Sequence, residues 1–121
     1  MKFIAVRSGL ALGLAAAVLG STLAAPTDAA AKTITIEGAE FAFKPARITA
    51  DVGETVTIRF KNTGAMSHNL KFKTLDGGTE TIQSGNTATF KVRPEESGTY
   101  SFICTVPGHA QAGMKGKLIV E

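Results

Sequence analysis

The sequence has little that could build a disulfide framework or a nucleic-acid surface. It contains one cysteine, one tyrosine and no tryptophan. Disulfide frameworks need cysteines in pairs, so this chain cannot form one within itself. It also lacks any block of five or more consecutive basic residues. Because such blocks and interleaved aromatic residues are the usual marks of nucleic-acid binding, we expect no nucleic-acid partner.

Charge is absent from a long stretch near the N-terminus. Residues 8–27 carry no charged side chain, residues 10–19 are rich in Ala and Leu, and Lys2 and Arg7 come before them. A positive start followed by an apolar core and small residues is the layout of a secretory signal. The small residues fit a cleavage site near residue 24 and another near residue 31, and both stay open.

The alternative is that this segment is retained as a membrane anchor. About 20 uncharged residues could just span a bilayer. The apolar part is shorter, however, and it is dominated by Ala and Gly, which insert weakly. We therefore expect residues 1–31 to be a signal peptide and residues 32–121 to be one domain. The mature protein is then exported to the periplasm, without a membrane span and as a monomer.

The remainder of the chain follows the two-residue period of β-strands. Residues 54–62 alternate most clearly between apolar and polar side chains. The other strand-like runs are residues 32–37, 69–73, 88–92, 99–105 and 117–121. Turn-forming Gly, Asp, Asn and Ser separate them. Short strands divided by turns predict an all-β sandwich or barrel, with Phe41 and Phe43 in its core or covering one end.

The few soft side chains of the sequence are spaced as metal ligands. Cys104, His109 and Met114 have four residues between successive members, and His68 lies 36 positions before Cys104. A compact loop between two antiparallel strands can aim three side chains at one point, and His68 can reach the same point from a neighbouring loop. A lone methionine is usually core filler, so the prediction depends on all four residues together.

The donor types select the metal. Two imidazoles, one thiolate and one distant thioether are the ligands of blue-copper electron-transfer sites. Zinc favours a second cysteine, a carboxylate or water over methionine, and calcium and magnesium need oxygen ligands. The sequence therefore predicts one copper ion, cycling between Cu(II) and Cu(I), held by His68, Cys104, His109 and Met114.

Two other functions fit parts of this pattern. A copper carrier or chaperone would bind the ion without electron transfer, but such sites tend to be open and rich in methionine. A copper oxidase or nitrite reductase needs a further copper site built from more histidines, and none is left over. A cysteine hydrolase would leave Met114 without a role. An electron carrier that is not an enzyme is the favoured prediction.

The motifs around these residues resemble those of a known family. Ser67-His68-Asn69, Cys104–His109 and Gly113–Gly116 are similar to the cupredoxins of the plastocyanin/azurin group, and the loop spacing is most similar to rusticyanin and auracyanin. The resemblance implies a Greek-key β-sandwich of about seven to eight strands with copper at one end. It implies that Asn69 ties the two ligand loops together and helps to hydrogen-bond the Cys104 sulfur.

The resemblance also implies where partners bind. His68 is expected to be the more buried imidazole, and His109 is expected to expose its edge within an apolar patch. Redox partner proteins, such as cytochromes or copper/haem oxidoreductases, would then dock near His109.

Overall fold

The structure, a computed structural model, describes residues 30–121 and the separate positions 13, 15 and 20. Most of the predicted signal peptide, residues 1–31, thus lies outside the described residues. In the part of the chain that is described, no helix has the length and apolarity needed to cross a membrane.

Eight strands form two sheets in the described domain. They are β1 (Ala31–Ala39), β2 (Ala42–Lys44), β3 (Arg47–Ala50), β4 (Thr55–Asn62), β5 (Lys71–Phe72), β6 (Thr87–Val92), β7 (Gly98–Ile103) and β8 (Lys115–Val120). One sheet has the order β2-β1-β4-β6 and the other the order β3-β8-β7-β5. The pairs β1–β4 and β3–β8 are parallel although their strands are distant in sequence. The two sheets confirm the predicted all-β sandwich and its strand number.

Alternate residues of both sheets fill the space between them. Ile36, Ile58 and Phe60 of the first sheet and Phe102 of the second are fully buried. Phe43 joins the two layers, since its ring centroid lies 5.9 Å from that of Phe60 and 5.3 Å from that of Phe102. The two-residue period therefore sets the inward face of each strand, as predicted.

Two strands have no counterpart among the predicted runs. β2 and β3 have three and four residues and flank Pro45, and runs this short hold too few alternations to be recognised as strands. The run predicted at residues 69–73 is a strand only at Lys71 and Phe72. Just before it, His68 forms an isolated bridge with Ile82.

Three connections meet at one end of the sandwich. Gly38 near the end of β1 pairs with Asn62 at the end of β4, so the β1–β2 turn lies beside the β4–β5 loop. Ile103 pairs with Lys115, so the β7–β8 loop leaves the second sheet between them. This end holds all four predicted ligands.

Candidate metal centre

A buried asparagine shapes the loop that carries His68. Asn62 is fully buried at the end of β4. Its Nδ2 donates to the carbonyl oxygens of Met66 (2.8 Å) and Ile82 (3.0 Å), and its Oδ1 accepts from the Gly64 N–H (3.0 Å). The His68 N–H then donates to the Ile82 oxygen at 3.1 Å, and the Ile82 N–H donates back at 2.8 Å. Both sides of the His68 backbone are thereby fixed.

The second loop folds back on itself. The Cys104 N–H donates to the Met114 oxygen (3.1 Å), and the Met114 N–H donates to the His109 oxygen (3.0 Å). Gly108 and Gly113 have φ angles of 85° and 117°, in the left-handed region that glycine adopts without steric cost. These glycines let the loop close within the width of two strands, and the backbone bonds link its three predicted ligands.

The reactive atoms of three predicted ligands face one another. The Nδ1 atoms of His68 and His109 are 3.1 Å apart, and the Cys104 Sγ lies 3.6 Å from Nδ1 of His109 and 4.0 Å from Nδ1 of His68. His68 and Cys104 are fully buried, and His109 is 4% exposed. Met114, in the same loop, is also fully buried. The predicted residues are therefore brought together away from solvent.

This arrangement fits a soft cation. Two ring nitrogens in contact can satisfy each other only when one of them carries a proton, and the thiol faces the same space. Such a cluster leaves lone pairs that a single cation would accept together. Two imidazoles and a sulfur, with a buried methionine beside them, are the donors of a copper site.

Burial keeps His68 in the form that binds metal. The pKa of His68 is lowered from its ordinary value of 6.5, mainly because burial penalises the charged ring. A neighbouring Glu40 carboxylate acts in the opposite direction, and His109 acts with burial. His68 is therefore neutral at neutral pH, and a neutral imidazole is the species that donates its lone pair to a metal.

Asn69 joins the two ligand loops, as the resemblance implied. Its Oδ1 accepts the Thr105 N–H at 2.7 Å, and its Nδ2 donates to the hydroxyls of Thr105 (2.7 Å) and Thr81 (3.2 Å). Among the described residues, the hydrogen-bonding neighbours of the Cys104 sulfur are the two imidazoles rather than Asn69. Asn69 thus positions the loops without a hydrogen bond to the sulfur.

Phe41 packs over His109 at this end of the sandwich. Its ring meets the His109 ring edge-on, with centroids 5.4 Å apart and planes at 86°. Phe41 is 42% exposed, so it covers the end of the core, whereas Phe43 lies inside it. His109 therefore exposes less of its own edge than the resemblance implied. Phe41 has a φ of 64°, which is uncommon for a non-glycine residue, and no sequence signal predicts it.

Glu40 is a residue that the sequence did not reveal. Its Oε1 accepts the backbone N–H groups of Ala65 (2.6 Å) and Met66 (2.9 Å) and lies 3.5 Å from Nε2 of His68. The pKa of Glu40 is lowered, first by the Met66 N–H, so the carboxylate is charged at neutral pH. Glu40 lies far from the Ser67-His68-Asn69 motif in sequence, and only the β1–β2 turn brings it close.

Comparison with known proteins agrees with this fold. A family model described as the cupredoxin-like domain matches residues 10–120. The chain is 33% identical to a chloroplastic plastocyanin of Fritillaria agrestis, over 95% of this chain and 74% of that protein. It is 31% identical to auracyanin-A of Chloroflexus aurantiacus, over 100% of this chain and 96% of that protein.

A solved structure supports the same assignment. Auracyanin A from Chloroflexus aurantiacus, described as a "blue" copper protein, superposes with a TM-score of 0.66 at 30% identity. The match covers 75% of this chain and 99% of that one. Since the family match spans nearly the whole sequence and the sandwich carries the expected donors at one end, the chain belongs to the cupredoxin-like domain family.

Proposed function

We propose that this protein is a type 1 (blue) copper electron-transfer protein whose ligands are His68, Cys104, His109 and Met114. The observation that carries the proposal is the buried cluster in which one sulfur and two ring nitrogens lie within 4.8 Å of one another. Bound copper would supply a one-electron Cu(II)/Cu(I) couple. Relatives such as plastocyanin and auracyanin-A are electron carriers rather than enzymes, which supports the same role.

The protein's part is to hold the donors in one arrangement. The paired bonds between His68 and Ile82 fix one ligand, and the bonds that join Cys104, His109 and Met114 fix the others. Ligands that are fixed in this way need to move little when the charge of the site changes. Burial also disfavours net charge. It therefore favours the reduced, less charged state and raises the reduction potential.

The docking surface is proposed to be the apolar rim around this end. Phe41 and Met66 are 42% and 44% exposed. Pro107 and Ala112 are exposed beside His109. A small apolar surface suits a short-lived complex with a redox partner protein such as a cytochrome. Electrons would pass through the His109 and Phe41 edge, the part of the centre nearest to solvent.

A cationic face next to the centre would steer acidic partners. On the outer side of the second sheet, Arg47 of β3 is the register partner of Lys117 of β8. Lys71 of β5 and Lys115 of β8 lie on either side of Ile103, which pairs with both. The groove between these strands is lined by Arg47, Lys115, Lys117 and Lys73, with no acidic side chain among its lining residues. Like charges on adjacent strands disfavour folding, whereas a partner of opposite charge would be attracted to them.

We also propose that residues 1–31 direct export to the periplasm and that residues 32–121 work as a monomeric domain. β1 begins at Ala31, and the oxygen of Ala30 accepts the Thr55 N–H at 3.0 Å. Cleavage near residue 24 would keep both alanines in the sheet, whereas cleavage near residue 31 would remove them. Mass spectrometry of the exported protein distinguishes these sites, and an N-terminus at Met1 would support the retained anchor.

Voltammetry of the copper-loaded protein tests the electron-transfer function. We expect a reversible one-electron couple that persists over many cycles, because the ligands are buried and tied together. Cys104→Ser is the matched control and should lose the couple, since it removes the thiolate but changes little else. A wild-type protein that shows no reversible couple and gives up Cu(I) readily to a chelator would instead be a copper carrier.

A further inference from the structure

The His68 ring has one nitrogen that the ligand cluster does not use. While Nδ1 faces Cys104 and His109, Nε2 points the other way and is fully buried. Within the described residues, Nε2 has no hydrogen-bond partner of good geometry. A buried polar atom left without a partner costs about 1–3 kcal/mol. Its surroundings therefore need an acceptor if the ring is to carry its proton there.

The Glu40 carboxylate is an acceptor that lies beside this nitrogen. Its Oε1 lies 3.5 Å from Nε2 of His68 and is held in place by the N–H groups of Ala65 and Met66. Gly64 keeps the space open, because a Cβ at that position would overlap the carboxylate. A side chain with two backbone anchors has lost most of its freedom, so ordering it against His68 costs little further entropy.

We propose that Glu40 is a positioning residue for His68, accepting its Nε2–H so that the Nδ1 lone pair is aimed at the metal centre. Fixing the proton on one ring nitrogen fixes the tautomer, and an anionic acceptor makes the other nitrogen a stronger donor. Glu40 also fastens the β1–β2 turn to the β4–β5 loop. This inference depends on the proposed role of His68 as a ligand.

The charge of Glu40 has a separate consequence for the redox couple. An anion beside a ligand stabilises the more positive oxidation state, so Glu40 should favour Cu(II) over Cu(I). A residue that only ties two loops together would affect the binding of both oxidation states alike. The reduction potential therefore separates the proposed role from a purely structural one.

The test compares Glu40→Gln with Glu37→Gln. In E40Q the new amide oxygen can still accept hydrogen bonds from the β4–β5 loop but carries no charge. Glu37 is an exposed carboxylate on β1, the strand that leads into the turn. We expect E40Q to weaken Cu(II) binding about tenfold or more, and E37Q to leave it unchanged. If Cu(I) binding is unaffected, the reduction potential of E40Q rises by about 59 mV for each tenfold loss of Cu(II) affinity. Equal potentials in wild type, E40Q and E37Q would overturn the proposal.

A measurement on the metal-free protein tests the role of Glu40 independently of the proposed electron transfer. In the metal-free protein, ¹⁵N NMR should show the His68 ring protonated at Nε2, and Glu40→Ala should shift it toward a mixture of tautomers. A single Nδ1–H tautomer in the wild type would refute the role of Glu40, whatever the redox behaviour. Conversely, a wild-type protein that shows this NMR pattern but no reversible redox couple would refute the electron-transfer function and leave the role of Glu40 intact.

Discussion

At the scale of single residues, burial decides the chemistry of the centre. His68 and Cys104 are fully buried, and His109 nearly so. The His68 imidazole stays neutral because burial lowers its pKa: charging the ring would cost solvation. The same burial that prepares the ligand for a metal also makes the metal-free protein sensitive to acid.

The first prediction concerns pH and the metal-free protein. The folded pKa of His68 lies below the ordinary value of 6.5. The unfolded state therefore binds more protons below about pH 6.5, and the free energy of unfolding falls as the pH drops from about 7 to about 5. One histidine contributes at most about 1.4 kcal/mol per pH unit. Denaturant unfolding at each pH measures how steeply the free energy of unfolding changes with pH. Carboxylates add little to this slope above about pH 5.

His68→Leu provides the comparison for this slope. Its free energy of unfolding should change less over the same pH range than that of the wild type, since the leucine cannot take up a proton. Equal slopes in the two proteins would mean that burial does not hold His68 neutral.

The candidate ligands could be recognised in the sequence, but the contacts around them could not. Cys104, His109 and Met114 share one loop, and their donor types restrict the metal. Glu40 and Phe41 come from a different part of the chain, and nothing in their own residue types indicates a centre. Their roles depend on the turn between two strands, which only the folded chain defines.

At the scale of structural elements, two loops must keep their relative positions. Asn69 is the side chain that spans them, with three hydrogen bonds to Thr81 and Thr105. It is 2% exposed, so water cannot reach its amide group unless the loops open. Loss of this side chain should therefore affect both stability and the metal centre.

The second prediction is that Asn69→Ala lowers the free energy of unfolding by about 1–3 kcal/mol, because it removes three hydrogen bonds made by a buried side chain. Asn86→Ala is the matched control, since Asn86 is exposed in a turn. That variant should stay within about 0.5 kcal/mol of the wild type. Chemical denaturation of the metal-free proteins measures both. If the two variants lose equal stability, Asn69 does not join the loops as described.

Long strands were easier to predict than short ones. β4, with eight residues, shows enough alternation to reveal its inward face. β2 and β3 are defined by their partners, β1 and β8, rather than by their own pattern. The two residues of β5 are likewise defined by their pairing with β7. Pairing between distant segments is not encoded in the local period of a sequence.

At the scale of the whole molecule, charge is distributed unevenly around the centre. The groove on the outer face of the second sheet is lined by Arg47, Lys73, Lys115 and Lys117. Ile103 and Lys115 directly adjoin Cys104 and Met114 in sequence. An approaching anion therefore meets positive charge close to the proposed copper ligands.

The third prediction follows from this distribution. Oxidation of the reduced copper protein by ferricyanide, an anion, should slow as salt is added, because salt screens the attraction. The Lys115→Gln/Lys117→Gln double variant should react several-fold more slowly at low salt and show a weaker salt dependence. Stopped-flow absorbance measures the rates, and Lys91→Gln on the opposite sheet is the control. Identical salt dependence in all three proteins would show that the face does not steer.

The most direct test of the account is a titration of the metal-free protein with Cu(II), followed by visible absorption. We predict an intense thiolate-to-copper band that saturates at one equivalent and is absent in Cys104→Ser. A protein that takes up copper without such a band, or whose band survives the loss of Cys104, would contradict the assignment of these side chains to one metal ion.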